Sequence, residues 1–413
     1  MVPEQRRLFN SRFTESAYTR VCRTLDAAAG APIPFRICET PLFLSDEMTG
    51  TLARASREIL AQVTTPEYVA ASARAVPAEC AVPGFSGPPA FLQFDFSLAR
   101  LADGSVAPRL IELQGFPSLY GFQALLTDVF AEAYGLGDDW TPYFNGLDKA
   151  SYAALLRQVL VGGGEPEQTV LLEIAPETQK TRVDFVATER LTGIRTVGVA
   201  DVLVRGDRLF YRDPENGGLE TPIRRIYNRV IFDEAERTGV DLAPIFGRPL
   251  DVEWVGHPDW FFRISKFSLP FLNSEFSPEC HFVSDLAEPP ADLENFVLKP
   301  LRSFAGLGVE LHVTPERLRA LGNPSDYILQ RKVEYAPLVE TPDGLARAEI
   351  RMMYLWLPDG PLLVNNLVRM TKGAMVGVDF NKDKTWIGAS IGLHPPSDGM
   401  RGSDLLGTVQ IER

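Results

Sequence analysis

At 413 residues the chain is too long for one hydrophobic core and is expected to divide into two or three domains. Its 45% hydrophobic and 23% charged residues mark a folded globular chain. The formal net charge of −13 argues against a nucleic-acid partner, which would want a basic face, but leaves room for a local cationic pocket.

In chain order, helices are expected over Phe13–Ala29 and Asp46–Val63, the second opened by Ser45 or Asp46 as N-cap. The stretch Phe91–Leu98 alternates strictly. Leu92, Phe94, Phe96 and Leu98 fall on one face and Gln93, Asp95 and Ser97 on the other, the pattern of a half-buried strand. Asp103-Gly104 is a strong two-residue hairpin signal, and Arg109–Gln114 supplies the returning strand. Counted back from that turn, Asp95 lies opposite Glu112 and Gln93 opposite Gln114. Two carboxylates facing each other across a strand pair repel. A divalent cation bridging them turns repulsion into a ligand set, and oxygen-only ligands suit Mg²⁺. The alternative is a solvated polar face whose carboxylates point apart. Pro108 interrupts the ladder, and a bulge there would shift the register by one.

A helix is expected from about Ser118 to Tyr134, and Gly135–Pro142 and Gly162–Pro166 make joints. Beyond them, the strand Thr169–Ala175, a helix around Lys180–Leu191 and the strand Arg195–Val199 have the β-α-β order of a small parallel-sheet domain. No Gly-x-Gly-x-x-Gly occurs, which argues against nicotinamide cofactors. In Arg224–Arg229, residues 225, 227 and 229 share one strand face. That face is either a solvated edge or a site for an anionic group suited to arginine forks.

The strand Phe296–Pro300 delivers Lys299 beside a loop containing Gly306 and Gly308. A lysine beside glycines whose N–H groups approach unhindered is a device for holding a triphosphate. It is not the usual P-loop, since Gly-x-x-x-x-Gly-Lys-Ser/Thr is absent and lysine comes first. Gly388-Ala-Ser-Ile-Gly392 fits a hydrolase nucleophile pattern, but Leu393-His-Pro-Pro396 follows and cannot start the helix that motif needs. In Gly377–Trp386, Asn381, Lys382 and Lys384 either reach a bound anion or form an exposed hairpin turn. His257, His281, His312 and His394 lack metal spacing, as do Cys22, Cys38, Cys80 and Cys280, which read as reduced, packed thiols. No apolar run reaches transmembrane length and no signal-peptide core follows Met1–Arg7, so a cytoplasmic protein without a membrane partner is expected. The polar, Gly-rich tail after Pro395 is expected to be partly disordered.

Lys-Pro with a glycine loop, and Asp95 with Glu112-x-Gln114 on a hairpin, resemble the two halves of an ATP-grasp active site. The carboxylates precede the lysine here, an order that resembles the circularly permuted branch related to glutathionylspermidine synthase. Lys266, in Ile264–Leu272, is similar to that family's first ATP-contacting lysine. Tyr327–Val333 is similar to the strand and hinge that hold adenine, with Gln330, Lys332 and Val333 at the hinge. Glu349-Ile-Arg351 resembles the acidic-x-Arg strand, and Asn365–Arg369 the strand bearing a phosphate-facing arginine. Glu112–Ser118 matches the Glu-x-Asn-x-x-Pro-Gly metal motif, with Gln114 in place of Asn and Ser118 in place of Gly.

The resemblance implies an α/β (α+β) chain with a permuted ATP-grasp fold and a small Rossmann-like domain between its halves. Residues 1–145 would hold the N-terminal helices and metal hairpin, 146–262 the Rossmann-like domain, and 263–413 the lysine, glycine-loop and hinge half. It implies ATP and Mg²⁺ as cofactors. Asp95, Glu112 and Gln114 would hold metal, and Lys266, Lys299, Ser303, Gly306, Gly308, Gln330, Lys332 and Val333 would hold ATP. Arg351, Arg369 and Asn381 would act in catalysis. The implied activity is a carboxylate–amine or carboxylate–thiol ligase passing through an acylphosphate. Its partners would be a small-molecule or peptide carboxylate and an amine-type acceptor. A phosphotransferase on the same scaffold and a non-catalytic nucleotide-binding module are the rivals.

Overall fold

The computed structural model describes residues 1–101, 103–302, 307–373, 381 and 383–396. Half of the expected segment Gly377–Trp386, residues 377–380 and 382, lies outside them, as does the tail from residue 397.

The largest sheet is antiparallel, in the order Gly388–Ser390, Gly360–Thr371, Gly344–Leu357, Phe91–Arg100, Val106–Gln114, with Val339–Thr341 also pairing with Gly344–Leu357. Leu92, Phe94, Phe96 and Leu98 pack under it against Leu52, Ala55 and Ile59 of the helix Asp46–Val63. Ser45 caps that helix by accepting from the Met48 N–H at 3.4 Å. The strand Phe91–Arg100 departs from the half-buried expectation. Gln93, Asp95 and Ser97 are buried as deeply as their apolar neighbours, because the opposite face is covered by charged side chains rather than water.

Asp95 does face Glu112, and Gln93 faces Gln114. Two offsets cancel to give this result. The turn is one residue longer than a two-residue loop, closed by the Leu101 N–H donating to the Ser105 carbonyl at 2.8 Å. A bulge then takes up the extra residue between the Asp95–Glu112 and Phe96–Leu110 pairs, away from Pro108, which stays in register with Leu98. Leu110 and Leu113 both keep the core face because Ile111 is the inserted residue.

The second sheet is parallel, in the order Glu253–Trp254, Arg225–Asn228, Thr169–Glu173, Arg195–Gly198. The helix Arg182–Thr192 joins the adjacent parallel strands Thr169–Glu173 and Arg195–Gly198, as the β-α-β pattern predicts. Arg225–Asn228 is an interior strand, so the solvated-edge reading of that segment is overturned. The parallel sheet is tied to the hairpin through the helix Tyr120–Tyr134. Its first turn is capped by buried Asp184, whose carboxylate accepts from the Leu119 and Phe122 N–H groups, each at 3.0 Å.

The third sheet runs Cys280–Phe282, Tyr327–Arg331, Phe296–Pro300, all antiparallel. Phe296, Leu298 and Leu329 line its own small core with Val313 and Leu318. The register places Lys299, Ile328 and Phe282 in one row and Val297, Gln330 and Cys280 two residues along on the same face, with Leu298 and Leu329 turned to the other. Among the described residues no helix is long and apolar enough to cross a membrane.

Candidate functional site

The polar face of the hairpin meets the strand Gly344–Leu357, which sets Arg351 opposite Asp95. The guanidinium grips the carboxylate with both arms, Nε to Oδ1 and Nη2 to Oδ2, each at 2.6 Å. Arg369, one strand further, donates to the same Oδ2 at 2.6 Å and also pairs with Glu349. Tyr335 donates to the other Glu349 oxygen at 2.6 Å. Glu112 lies within hydrogen-bonding reach of Asp95, and its Oε1 accepts from Gln114 Nε2 at 2.9 Å and lies 3.9 Å from Arg351.

Burial by itself raises the Asp95 carboxyl, but Arg351 and Arg369 outweigh it and hold the group below the ordinary carboxylate range. Burial raises Glu349, with Arg369 opposing and the charge of Asp95 adding to the rise. The carboxylates therefore differ in state. Asp95 is locked as an anion, whereas Glu349 is the easier to protonate.

Lys299 and Lys266 approach from the other side. Lys299 Nζ donates to the Ile111 carbonyl at 3.2 Å, and Gln330 Nε2 donates to the Leu110 and Ile111 carbonyls at 3.4 Å. The bulge thus presents backbone acceptors to the sheet that carries the lysine. Lys266 Nζ donates to the Pro300 carbonyl at 3.2 Å, next to Lys299 in sequence. Gly115 sets this approach: its N–H donates to the Ile264 carbonyl at 2.7 Å, and a Cβ there would stand 2.7 Å from the Trp260 carbonyl oxygen. Burial pushes the Lys266 ammonium down to about 8, with Glu112 opposing. Burial lowers Lys299 as well, again against Glu112. Four cationic side chains, Arg351, Arg369, Lys266 and Lys299, surround three carboxylates, Asp95, Glu112 and Glu349, a balance that favours a polyanion in an otherwise acidic protein.

A cavity of about 410 Å³ opens on Glu112, Gln114 and Lys266, within the size range of small-molecule sites. Among the described residues no three His, Cys, Asp or Glu side chains are grouped to hold a metal ion. The oxygen set at this point is two carboxylates and an amide. Glu112 and Gln114 face the cavity, while both oxygens of Asp95 are already bonded to arginine.

Other expected residues stand apart or serve the frame. Lys332 donates its N–H to the Asn295 carbonyl at 2.7 Å and its Nζ to the Glu294 carbonyl at 2.6 Å. Val333 follows it just beyond the strand Tyr327–Arg331. Asn381 is buried, its Oδ1 accepting from Thr371 Oγ1 at 2.8 Å and from the Lys372 and Gly373 N–H groups at 3.1 and 3.0 Å, a cap on the end of the Arg369 strand. Gly308 has φ +71°, and the chain beyond it pairs Glu310 with Leu298, next to Lys299 in sequence. Ser303, Gly306 and Lys382 lie outside the described residues. Gly388–Ser390 is a strand with no helix after it, and Ser390 Oγ donates to the Thr40 carbonyl at 2.6 Å, as suits a chance match.

Arg225 and Arg229 part company. Arg225 donates to the Leu160 and Val159 carbonyls at 2.9 and 3.1 Å and closes a helix end. Arg229 is 4% exposed, stands over Phe116 at 5.1 Å and Phe185 at 5.5 Å, and its Nε and Nη1 have no hydrogen-bond partner among the described residues. It lies just past the C-terminal end of its strand, beside Glu173 at the end of the next, where open α/β sheets bind ligands. Tyr335, which holds Glu349, carries no sequence motif that marks it.

The fold is of the glutathione synthetase-like kind. A glutathione synthetase-like effector from Globodera pallida, solved in its apo form, superposes with a TM-score of 0.50 over 86% of this chain and 93% of its own, at 10% identity. No protein-family model matches the sequence, and no curated protein does.

Proposed function

We propose that this protein is an ATP- and Mg²⁺-dependent ligase that joins a carboxylate to an amine or thiol through an acylphosphate. The observation that carries the reading is convergence. Asp95 and Glu112 meet Lys266, Lys299, Arg351 and Arg369, all of them far along the chain, in one charged cluster, and Glu112 and Lys266 of that cluster line the cavity. The glutathione synthetase-like fold supports it. In this reading the ATP-grasp domain is circularly permuted, with residues 1–145 and 263–413 as its halves and 146–262 as the inserted Rossmann-like domain.

Glu112 and Gln114 face the cavity and, with Asp95, form the oxygen set for Mg²⁺. Mg²⁺ would neutralise charge on the β- and γ-phosphates. Lys266 and Lys299 would turn from the Pro300 and Ile111 carbonyls to phosphate oxygens, an exchange of neutral for charged acceptors that favours the bound state. Arg369, held between Asp95 and Glu349, stands ready to stabilise charge on the transferring phosphoryl group. The buried guanidinium of Arg229, whose Nε and Nη1 have no hydrogen-bond partner among the described residues, would take the carboxylate of a substrate lying across the end of the parallel sheet.

The test is acylphosphate capture. The protein with ATP, Mg²⁺ and a panel of amino-acid and dipeptide carboxylates is incubated with hydroxylamine. ADP release with hydroxamate formation supports a ligase, while a stable phosphorylated product without hydroxamate identifies a phosphotransferase. One observation favours a second reading: Asp95 is satisfied by Arg351 and Arg369 without metal, as in a non-catalytic module. Nucleotide binding without turnover of any carboxylate would select it.

A further inference from the structure

The cavity also carries a carboxylate that the phosphate and metal groups do not use. Asp233 lines it together with Lys266 and Arg302, yet comes from the segment that follows the parallel strand Arg225–Asn228 rather than from the hairpin. Phe232, the residue before it, is buried and fixes the short helix Phe232–Thr238 against Phe246, Phe261 and Phe262, with ring centroids 5.4, 6.0 and 5.4 Å away. Phe261 and Phe262 line the cavity themselves, so the helix that bears Asp233 packs on the cavity wall. The Asp233 side chain is half-buried, and among the described residues it makes no ion pair and no hydrogen bond to another residue. The titratable groups that face it are Glu236 on its own helix, Cys80, Lys266 and Arg302. Burial and then Glu236 raise its carboxyl above the ordinary range, with Lys266 and Arg302 opposing.

Such a carboxylate repels phosphate and attracts a cation. We propose that Asp233 is the catalytic base for the acceptor: it receives a primary ammonium group in the cavity and takes the proton that keeps the nitrogen from attacking. The inference rests on the ligase reading above and deepens it, by naming the acceptor as a primary amine; a thiol offers no positive charge for Asp233 to hold. An alkylammonium, with a pKa of about 10, is almost wholly protonated at neutral pH and has no lone pair to give. In the step, one proton passes from the ammonium to the Asp233 carboxylate. The freed lone pair forms a C–N bond with the acyl carbon, and the C–O bond to phosphate breaks, its electron pair leaving on the phosphate. The phosphate takes the second N–H proton, the amide keeps the third, and Asp233 returns its own to water. A carboxyl raised by burial suits this exchange better than one in open water.

The full chain, with ATP, Mg²⁺ and the carboxylate that hydroxylamine capture selects, is given either hydroxylamine, largely uncharged at pH 7, or a panel of primary alkylamines. Asp233→Asn is expected to keep ADP release and hydroxamate formation within about twofold of wild type. Amide formation with the amine that wild type prefers should fall about a hundredfold at pH 7. That deficit should shrink as pH rises toward the amine's own range, about 10. The hydroxamate rate at each pH corrects for other titrating groups, Lys266 among them. A variant that forms amide like wild type at pH 7, or a deficit that does not change with pH, would overturn the base. Equal loss of hydroxamate and amide, with loss of Mg²⁺-dependent binding of a non-hydrolysable ATP analogue, would make Asp233 a metal ligand and overturn it too. A wild type that forms hydroxamate but no amide overturns the amine acceptor, and one that forms no hydroxamate overturns the ligase reading with it.

Discussion

Replacing Asp95 with Asn tests the charge network without changing its shape. The carboxylate is 1% exposed and accepts three bonds of 2.6 Å from two guanidinium groups. Asn keeps one acceptor and almost the same volume, so no cavity forms. Arg351 and Arg369 would then face only Glu349, which pairs with Arg369, and Glu112, whose side chain is 26% exposed and 3.9 Å from Arg351. Leaving a buried charge without its partner costs about 3–5 kcal/mol. With an m-value of about 3 kcal/mol/M, the urea midpoint should fall by about 1 M or more. Arg351→Met in the Asp95→Asn background removes the stranded cation and should recover at least about 2 kcal/mol. Circular dichroism through the urea transition reads all three proteins. An Asp95→Asn variant within about 1 kcal/mol of wild type, with no recovery in the double variant, would refute the buried pair.

Two glycines should respond in opposite directions. Gly115→Ala drives a Cβ against the Trp260 carbonyl and should destabilise by about 1–3 kcal/mol, while Gly50→Ala, exposed in a helix with nothing within 4 Å, should stabilise by up to about 1 kcal/mol; thermal melts compare them. Nucleotide affinity should decline as pH rises through about 8, where Lys266 loses its proton, and Lys266→Met should weaken binding and flatten that dependence in titrations from pH 6.5 to 9.5. The same depressed value means that stability rises with pH between about 8 and the usual lysine range, since the unfolded chain then holds the extra proton. Burial raises Glu173 to about 7, so its contribution is complete below the ordinary carboxylate range and lost as pH rises through 7. Glu173→Gln keeps the acceptor for the Ile174 N–H and should exceed wild type by about 3 kcal/mol at pH 8, with no difference at pH 4, in urea melts at the two values.

The hairpin was legible in the sequence because alternation and an Asp-Gly turn are local signals. The expected pairing of Asp95 with Glu112 holds, yet through two compensating offsets, a longer turn and a bulge at Ile111, that local patterns do not reveal. The helix Asp46–Val63 and the β-α-β unit were legible for the same reason. What escaped depends on contacts across the chain. Asp95 lies 256 residues from the Arg351 that neutralises it, and no spacing rule links them. Burial of the Gln93–Ser97 face escaped because a polar face covered by arginines has the same pattern as one covered by water.

The central claim, a metal-assisted nucleotide site on the hairpin, is tested most directly at Glu112. Its side chain is partly exposed and lines the cavity, so Glu112→Gln removes a ligand charge without stranding a buried arginine. Calorimetric titration of wild type and Glu112→Gln with a non-hydrolysable ATP analogue, with and without Mg²⁺, is the measurement. The account predicts binding to wild type that strengthens with Mg²⁺, and a folded variant in which that Mg²⁺ effect is gone. A well-folded wild type that does not bind the analogue, or a Glu112→Gln variant that keeps the full Mg²⁺ dependence, would contradict it.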